Sequence, residues 1–392
     1  MLDSALRVGR LFTGEQFLDD HAVLLSQGRI EDVVPAAQLP SGLPVEDLGP
    51  DLLLVPGFVD AQVNGGGGVL FNEAPDLAGA MAIAETHRRF GATAMLPTFI
   101  TDADAPRARA VVAIRQALAE RRPGIAGIHL EGPFLCRARK GAHAADLIRP
   151  MSDADVDSLL ELGLDTVLLT VAAENATPKQ IRRLSDAGII VSLGHSDASY
   201  EIASAAADAG ARGITHLFNA MSQFGHRGPG LVGAALDHGA LWCGLIADGH
   251  HVHAAAARVA LRAKKGPARL FLISDAMPPA GAPGDTFTLS GRRVTRKGSR
   301  LTLDDGTLAG CDLTMDAAVR HAVSAFDVPL GEALRMASLY PAMFLRLDHD
   351  RGRIAPGYCG DLVLLSPKLQ VEGVWIAGQG RREPRAPGVS AA

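Results

Sequence analysis

Eight apolar runs alternate with Ala-rich amphipathic stretches through the middle of the chain. The runs are LLLVPGFVDA, ATAMLPTFIT, GIAGIHLEGPF, DTVLLTVAAE, GIIVSLGHSD, GITHLFNAM, LWCGLIADGHH and LFLISDAM. The stretches between them carry helical spacing of apolar residues, for example in Leu77–Phe90, Ala105–Glu120, Tyr200–Gly210 and Ala254–Lys264. Near-continuous apolar strands alternating with helices are typical of a parallel sheet covered on both faces. Eight such units predict an α/β fold, a closed (β/α)8 barrel of the TIM type.

Both ends of the chain have a different pattern, with short β-like segments closed by Gly and Pro. We therefore predict a small β-sandwich domain from residues 1–54 plus 352–392, and a barrel domain from residues 55–351. The polar, Pro-rich tail, about 381–392, is predicted to be disordered. The segment FTLSGRRVTRKGSRLTLDDGTLAG predicts a hairpin near the barrel mouth, and helices over Met315–Phe326 and Leu330–Leu345 are expected to close the barrel.

Composition narrows the class of protein. The chain is 47% hydrophobic with a net charge of −5, which gives no reason to expect a nucleic-acid or membrane partner. Its four cysteines are far apart, which disfavours a disulfide framework or a thiolate zinc site. No GxGxxG motif follows the first apolar run, which disfavours a dinucleotide-binding fold. The N-terminus lacks the pattern of a signal peptide. We expect a cytoplasmic enzyme.

Metal-competent side chains recur where apolar runs end. They are Glu131, His195, His216 and Asp275. All strand ends of a barrel meet at one face, so these four should converge. Two imidazoles and a carboxylate form a ligand set of catalytic zinc, which lowers the pKa of water to about 7. Asp275 could then accept the water proton and deliver it to a leaving group. A structural ion-pair network is the alternative.

Other histidines are less specific. His143 follows the third run, where it could polarise a carbonyl or simply lie on the surface. His250, His251 and His253 cluster after the seventh run, so a second metal site is conceivable, although at most two can face the centre. The loop FGHRGPG, which contains Arg227, is consistent with an anion site, an interface or a mobile loop.

Several longer motifs together resemble one family. The segments are PGFVDAQVNGGGG, HLEGPFL with KGAH, SLGHSDA, THLFNAMS with GHRGPG, DGHHV, ISDAMPPAG, GTLAGCDLTMDAA and ASLYPAMFLRL. Over nearly its whole length the chain resembles the N-acetylglucosamine-6-phosphate deacetylases of the amidohydrolase superfamily. The resemblance implies hydrolysis of N-acetyl-D-glucosamine 6-phosphate to glucosamine 6-phosphate and acetate, in amino-sugar catabolism.

The resemblance also implies roles for individual residues. Glu131, His195 and His216 would hold one divalent metal per subunit, zinc with Fe²⁺ or Co²⁺ as alternatives. Asp275 would be the acid/base, and His143 would bind the sugar and polarise the acetyl carbonyl. Further substrate contacts are implied for Ala142, Asn219, Ala220, His251 and Leu308. In this family the arginine equivalent to Arg227 reaches the neighbouring subunit's site, which implies a homodimer.

One position separates subgroups of amidohydrolases. Many carry HxH at the end of the first strand and use it to hold a second metal, whereas this chain has Gln62 and Asn64 there. Carboxamides are weaker zinc ligands than imidazoles. Gln62 and Asn64 are therefore predicted to form hydrogen bonds with groups around the metal rather than to bind it directly. One metal is expected.

The sequence leaves open three alternatives to this function. A deacetylase of N-acetylgalactosamine 6-phosphate, or a hydrolase of cyclic amides, would have the same strand-end site. A non-catalytic binding barrel would be expected to have a broken ligand set, whereas all four residues are present. The sequence leaves open which metal is native, which C4 epimer is preferred, and what Cys136, His250 and His253 do.

Overall fold

The computed structural model describes residues 2–382, so the predicted disordered tail lies almost wholly outside the described residues. In chain order its strands are β1 (Ser4–Phe12), β2 (Phe17–Ser26), β3 (Arg29–Pro35), β4 (Val45–Asp47), β5 (Leu53–Pro56), β6 (Phe58–Val63), β7 (Gly65–Gly66), β8 (Val69–Leu70), β9 (Ala92–Ile100), β10 (Gly124–Ile125), β11 (Ile128–Glu131), β12 (Val167–Val171), β13 (Ile190–Leu193), β14 (Gly213–Ile214), β15 (Trp242–Ile246), β16 (Leu270–Ile273), β17 (Thr286–Leu289), β18 (Arg292–Lys297), β19 (Arg300–Leu303), β20 (Leu308–Cys311), β21 (Leu362–Leu365), β22 (Val371–Ile376) and β23 (Gln379–Arg382). The α-helices are α1 (Leu77–Arg88), α2 (Asp104–Ala119), α3 (Asp153–Leu160), α4 (Pro178–Asp186), α5 (Tyr200–Asp208), α6 (Gly230–Asp237), α7 (Ala254–Ala263), α8 (Met315–Ala325), α9 (Leu330–Ala337) and α10 (Leu339–Leu345).

In the parallel sheet of the barrel, β9 pairs with β6, β10 and β11, and β12, β13, β14, β15 and β16 then follow β11 in that order. It closes between β6 and β16, where Val63 bridges Ala276 and the Asp275 N–H donates to the Gln62 carbonyl at 3.0 Å. The strands are buried on both faces, which explains why they are nearly all apolar. The predicted (β/α)8 barrel is confirmed.

Side chains reinforce the seam between β6 and β16. Oδ1 of Asp60 accepts from the Ser274 N–H at 3.2 Å, and the Ser274 hydroxyl donates to the Gln62 carbonyl at 3.3 Å. These bonds supplement a short ladder at the point where the barrel closes. They also fix the backbone immediately before Asp275.

Both chain ends contribute to one sheet beside the barrel, in the order β23, β22, β21, β5, β1, β2, β3, with β4 also paired to β1. It encloses its own core, which includes Leu11, Leu54 and Trp375. The first apolar run is divided, because β5 belongs to this sheet and β6 to the barrel. Gly57 lies between them, where a Cβ would come within 2.1 Å of the Thr93 hydroxyl oxygen. The exact domain boundaries stay a prediction.

Two local expectations were wrong. The insertion after β16 is a four-stranded antiparallel sheet, β17 to β20, rather than a single hairpin. Its apolar face packs on Leu70, Ile100 and Met277 at the barrel mouth. The expected helix over Leu330–Leu345 is interrupted at Ser338, because Pro341 lacks an N–H and its ring clashes with the carbonyl four residues earlier. No helix among residues 2–382 is long and apolar enough to cross a membrane.

Candidate active site

The four predicted strand-end residues converge at the mouth of the barrel. Glu131 is the last residue of β11, and His195, His216 and Asp275 each lie two residues beyond a strand. All four are buried. The three that follow strands have left-handed backbone, with φ of +47°, +35° and +48°. Non-glycine residues seldom adopt this conformation, and such strain concentrates at functional sites.

Glu131, His195 and His216 form a tight triangle of ligand atoms. Nε2 of His216 lies 3.1 Å from Oε1 of Glu131, and Nε2 of His195 lies 3.3 Å from the same oxygen. The two Nε2 atoms are 3.0 Å apart. Burial alone would raise the pKa of Glu131, but hydrogen bonds and charge from the two histidines lower it well below its ordinary value.

This triangle fits a divalent cation. Nδ1 of His195 lies 2.8 Å from the Arg139 carbonyl, which can only accept, so Nδ1 carries a proton and Nε2, which faces His216, is the nitrogen whose lone pair can bind a cation. A lone pair facing a second imidazole nitrogen and a carboxylate is stabilised by a cation between them. Two histidines and one carboxylate match a catalytic zinc set. The residues present therefore fit the metal that the sequence predicts.

The carboxamides Gln62 and Asn64 lie between the two buried carboxylates. Nε2 of Gln62 is 3.3 Å from both oxygens of Glu131 and 3.1 Å from Oδ1 of Asp275. Nδ2 of Asn64 donates to the same Asp275 oxygen at 2.7 Å. An NH₂ donor occupies the space where a second cation would bind a carboxylate pair. This placement supports the predicted single metal and a supporting role for both residues.

Asp275 is joined through Gln62 to the triangle of ligand atoms. Burial is the largest cause that raises its pKa, followed by the charge of Glu131, while the Asn64 hydrogen bond opposes the shift. A carboxylate with a raised pKa is a better general base near neutral pH than an ordinary aspartate. The arrangement is therefore suited to taking a proton and returning it.

His143 lies beside the same triangle. Its ring is 4.4 Å from that of His195, centroid to centroid, in an edge-on contact, and its Nε2 lies 3.7 Å from Oε2 of Glu131. Its Nδ1 lies 2.9 Å from the hydroxyl of Thr101. Burial lowers the pKa of His143 to about 3, with a further contribution from His195, so the ring is neutral at physiological pH. The structure thus places His143 inside the site rather than on the surface.

A cavity of about 350 Å³ opens above these residues. Its size suits a small-molecule ligand. The predicted substrate residues that line it are Ala142, His143, Asn219, Ala220, His251 and Leu308. Arg227 does not line it and is exposed on the segment before α6. The inserted sheet walls one side, and the guanidinium of Arg292 donates to the Ala142 carbonyl, which ties the sheet to the loop of His143.

The backbone from His216 to Ala220 has an alternating conformation. His216, Phe218 and Ala220 all have positive φ, at +35°, +78° and +49°. Two N–H groups of this turn already have acceptors, because that of Leu217 donates to the Gly244 carbonyl at 2.8 Å and that of Asn219 donates to the His216 carbonyl at 2.9 Å. The Asn219 side chain donates to the carbonyls of His216 and Leu217, at 3.3 and 3.2 Å, which holds this turn. Asn219 and Ala220, the predicted phosphate contacts, both line the cavity.

A second cluster of ligand-type side chains, Asp248, His251 and Cys311, borders the cavity. Oδ1 of Asp248 accepts from the N–H groups of residues 250 and 251, and Oδ2 accepts from Nδ1–H of His251 at 2.7 Å. Burial would raise the pKa of Asp248, but His251 lowers it to about 2. Asp248 and His251 thus form a hydrogen-bonded pair, and His251 lines the cavity.

The neighbouring histidines have structural partners. Nε2 of His250 lies 2.9 Å from the Ser299 hydroxyl of the inserted sheet. The His253 side chain accepts from the Ala255 N–H and caps α7. Neither partner requires a metal, so these contacts give no support to a second metal site there.

Three residues of the site were missed from the sequence: Thr101, Arg139 and Asp248. Thr101 follows β9 directly, so the rule that singled out the other strand-end residues could have found it. Asp248 is the first residue of the DGHHVH segment, two residues before His250. Arg139 acts through its backbone carbonyl, and no side-chain pattern could have indicated it.

Comparison with known proteins agrees with this geometry. Residues 53–380 match the model of the amidohydrolase family, and residues 5–53 match the NagA composite domain. The chain belongs to the amidohydrolase family. The resemblance to N-acetylglucosamine-6-phosphate deacetylases that its motifs predict is confirmed.

Three relatives illustrate the likeness. An N-acetylgalactosamine-6-phosphate deacetylase of Shewanella sp. (strain ANA-3) is 43% identical over 83% of this chain and 82% of its own. The crystal structure of N-acetylglucosamine-6-phosphate deacetylase from Pasteurella multocida is 35% identical with a TM-score of 0.93, over 97% of this chain and all of its own. A mutant enzyme from Mycobacterium smegmatis, solved in complex with N-acetyl-D-glucosamine 6-phosphate, is 32% identical with a TM-score of 0.89, over 96% and 98%.

Proposed function

We propose that this protein hydrolyses N-acetyl-D-glucosamine 6-phosphate to D-glucosamine 6-phosphate and acetate, and so acts in amino-sugar catabolism. The observation that carries the proposal is the triangle of Glu131, His195 and His216, joined through Gln62 to Asp275 at 3.1 Å. The solved relatives deacetylate the same sugar phosphate. The triangle provides a set of metal ligands and Asp275 provides a base. Both border a cavity of suitable size at one face of the barrel.

Glu131, His195 and His216 would hold one divalent metal, for which we propose zinc, with Fe²⁺ or Co²⁺ as alternatives. When bound, such an ion supplies a Lewis acid that lowers the pKa of water and polarises a carbonyl. His195 is held for this role by its hydrogen bond to the Arg139 carbonyl. A partner that fixes the tautomer and orientation of a ligand histidine raises its affinity for metal.

Asp275 would accept the proton of the attacking water and transfer it to the nitrogen as the C–N bond breaks. Gln62 and Asn64 hold its carboxylate by hydrogen bonds, so it needs little reorganisation during the reaction. His143 would donate a hydrogen bond to the acetyl oxygen as negative charge develops there. Leu308, on the inserted sheet, would wall the acetyl group.

The sugar and its phosphate would occupy the rest of the cavity. His251, oriented by Asp248, would contact the sugar or its phosphate, and Ala142 would contact the sugar. Asn219 and the backbone of Ala220 would contact the phosphate. Arg139 lines the cavity, but its guanidinium pairs with Asp197 at 2.8 Å, so phosphate binding would benefit from another cation.

We propose that this cation is Arg227 of a second subunit, in a homodimer. Arg227 is exposed and lies outside its own chain's cavity, which leaves it free to reach another site.

We also propose that the enzyme works in the cytoplasm. All four cysteines are free thiols, as is usual in a reducing compartment.

A second candidate substrate is N-acetyl-D-galactosamine 6-phosphate, which differs at C4. The Shewanella deacetylase of that sugar is 43% identical to this chain, so the galacto epimer is a specific competitor. A preference between the epimers depends on side chains near C4 and does not alter the roles of the metal ligands or Asp275.

The proposed function is tested by an acetate-release assay on four substrates, with metal content measured on the same sample. The substrates are N-acetylglucosamine and N-acetylgalactosamine, each with and without the 6-phosphate. We expect kcat/KM for N-acetylglucosamine 6-phosphate to exceed that of the unphosphorylated sugar by at least about 100-fold, because charged contacts are lost. A higher value for the galacto phosphate would identify the second candidate, and release from neither phosphate would refute the proposal.

A further inference from the structure

Asp248, His251 and Cys311 bring three kinds of metal-binding atom together beside the cavity. Oδ2 of Asp248 lies 2.7 Å from Nδ1 of His251, and Sγ of Cys311 lies 3.5 Å from the same nitrogen. All three ligand atoms lie within 4.8 Å of one another. The side chains of Asp248 and His251 are 5% and 7% exposed, and Cys311 is fully buried. This cluster shares no residue with the triangle that would hold the catalytic metal.

Both contacts of the His251 ring are made to one nitrogen. A nucleophilic thiol needs its carboxylate and its sulfur on opposite ring nitrogens, so that the imidazole can take the thiol proton while the carboxylate orients it. Here the carboxylate and the thiol both face Nδ1. Atoms that converge on a single point are instead the arrangement of a metal site.

The backbone holds the three side chains in place. Oδ1 of Asp248 accepts from the N–H groups of residues 250 and 251, at 2.8 and 2.9 Å, which directs Oδ2 at the His251 ring. The N–H of Cys311 donates to the Asp275 carbonyl at 3.0 Å, and its carbonyl accepts from the Met277 N–H at 2.9 Å. Hydrogen bonds of this kind orient ligands and strengthen metal binding. His251 also lines the cavity, which gives an ion a path to the cluster.

The surroundings of Cys311 attract a cation. Burial is the largest cause that raises the pKa of its thiol, and the charges of Asp275 and Asp248 raise it further. The same negative potential that disfavours a thiolate favours a divalent cation. Cys243 is equally buried, but its Sγ faces two backbone carbonyls at 3.7 Å. Burial of a thiol does not by itself create such a site.

We propose that Oδ2 of Asp248, Nδ1 of His251 and Sγ of Cys311 bind a further cation, of the borderline or soft class that includes zinc and cadmium. Thiolate and imidazole suit these ions, whereas Mg²⁺ takes oxygen ligands. Tetrahedral zinc places its ligand atoms roughly 3.3–3.6 Å apart. The Sγ–Nδ1 distance of 3.5 Å already fits. The Oδ2–Nδ1 pair, now at 2.7 Å, opens by about 0.6 Å when the ion replaces the proton between them.

This site binds metal more weakly than the triangle does. An entering ion must displace the thiol proton of Cys311, whose pKa is raised, and also the Nδ1 proton that His251 shares with Asp248. Metal affinity falls when protons must leave the ligands. The protein as isolated should therefore carry metal in the triangle, and the further site should fill when zinc or cadmium is added.

Cadmium titration of the zinc-loaded enzyme tests the site, because a thiolate–cadmium bond has a charge-transfer absorption in the ultraviolet. The triangle contains no sulfur, so cadmium that replaces its zinc gives no such band. We expect a band whose amplitude corresponds to a single thiolate per chain, and its loss in Cys311→Ser. No band in the unaltered enzyme, or an undiminished band in Cys311→Ser, would overturn the proposal. The readout requires no substrate, so it is independent of the proposed function.

Cys359→Ser is the matched control. The Cys359 thiol also lies beside a carboxylate, since its Sγ donates to Oδ1 of Asp361 at 3.1 Å. Among residues 2–382 no third ligand atom completes that pair. The cadmium band should therefore be unchanged in Cys359→Ser. Loss of the band in this variant would place the cadmium at Cys359 and contradict the proposal.

Asp248→Asn separates a three-ligand site from a thiol that binds cadmium alone. Asparagine can still accept from the two N–H groups through Oδ1, but its carboxamide is a weak neutral ligand. Cadmium affinity should fall by about 100-fold or more, because loss of a residue that only orients a ligand already costs roughly 10–100-fold. Circular dichroism checks that each variant is folded. An unchanged affinity in folded Asp248→Asn would mean that Asp248 is not a ligand, against the proposal.

Discussion

The side-chain amide of Asn64 donates a 2.7 Å hydrogen bond to Oδ1 of Asp275, across the seam where the barrel closes. Gln62 donates to the same oxygen at 3.1 Å. Both bonds stabilise the ionised form of a carboxylate whose pKa is raised by burial and by the charge of Glu131. The two carboxamides therefore hold Asp275 in a form that can still lose its proton at working pH.

Asn64→Ala should move the acid limb of the pH–rate profile upward. A base is active only when ionised, and loss of a donor to Asp275 raises its pKa, so activity should fall at a higher pH than in the unaltered enzyme. A charge-assisted hydrogen bond contributes about 1.5–3 kcal/mol, which corresponds to roughly one to two pH units. The measurement is kcat/KM from pH 5 to 9. A uniform loss of rate with an unmoved limb would argue against this link.

Asp275→Asn should abolish most of kcat and leave the metal bound. The substitution keeps the size of the side chain and removes only its ability to exchange a proton. Removal of a general acid/base typically costs about 10²–10⁴-fold in rate. Metal content is measured by atomic emission beside the steady-state assay. Near-normal kcat would rule out the acid/base role, and loss of metal would make Asp275 a ligand instead.

Substitution of a metal ligand should have the opposite pattern. His195→Ala and His216→Ala each remove one of three ligand atoms, so metal content should fall well below that of the unaltered protein. The latter should bind about one equivalent per chain, since Gln62 and Asn64 replace the second pair of imidazoles. His349→Ala, an exposed histidine, is the control. A stoichiometry near two would contradict the single-metal arrangement.

Much of the fold was predictable because a parallel barrel imposes a simple pattern. Strands buried on both faces must be almost wholly apolar, and helices must separate them, so eight runs were visible in the sequence. Glu131, His195, His216 and Asp275 were predictable for a related reason. Functional side chains of a barrel lie at the strand ends, and a polar residue there stands out against the run before it.

The contacts inside the site were not predictable in the same way. Gln62 and Asp275 are 213 residues apart, and Thr101 and His143 are 42 apart, so their pairing depends on three-dimensional closure. A backbone carbonyl such as that of Arg139 leaves no trace in the sequence at all. The extra strands of the inserted sheet were missed because short β segments with Gly turns fit one hairpin or two equally well.

Arg227→Ala should mainly raise KM for the phosphorylated substrate while kcat is largely kept. Loss of one charged contact to phosphate corresponds to roughly a tenfold to hundredfold increase in KM. Arg182→Ala, another exposed arginine, on α4, serves as the control. An unchanged KM would exclude Arg227 as a phosphate ligand.

Subunit mixing tests whether Arg227 acts in the neighbouring site. At low substrate, Arg227→Ala and Asp275→Asn chains are each nearly inactive, but a mixed dimer has one complete site if Arg227 works across the interface. Statistical reassembly should then recover about one quarter of normal activity, because half the dimers are mixed and each has one working site of two. No recovery on mixing would place Arg227 in its own subunit's site or outside catalysis.

Asp60 should make the stability of the protein depend on pH. Burial raises its pKa from an ordinary 3.8 to about 7, so between these values the folded state binds a proton that the unfolded state lacks. The stability contributed by Asp60 therefore falls as pH rises from about 4 to about 7, by at most about 1.4 kcal/mol per pH unit, and levels off above. Asp60→Asn stays neutral throughout and lacks this slope. Urea unfolding of both proteins at pH 4.5, 5.5, 6.5 and 8 should show the asparagine variant gaining stability relative to aspartate as pH rises; parallel curves would mean that Asp60 is ionised in the folded protein.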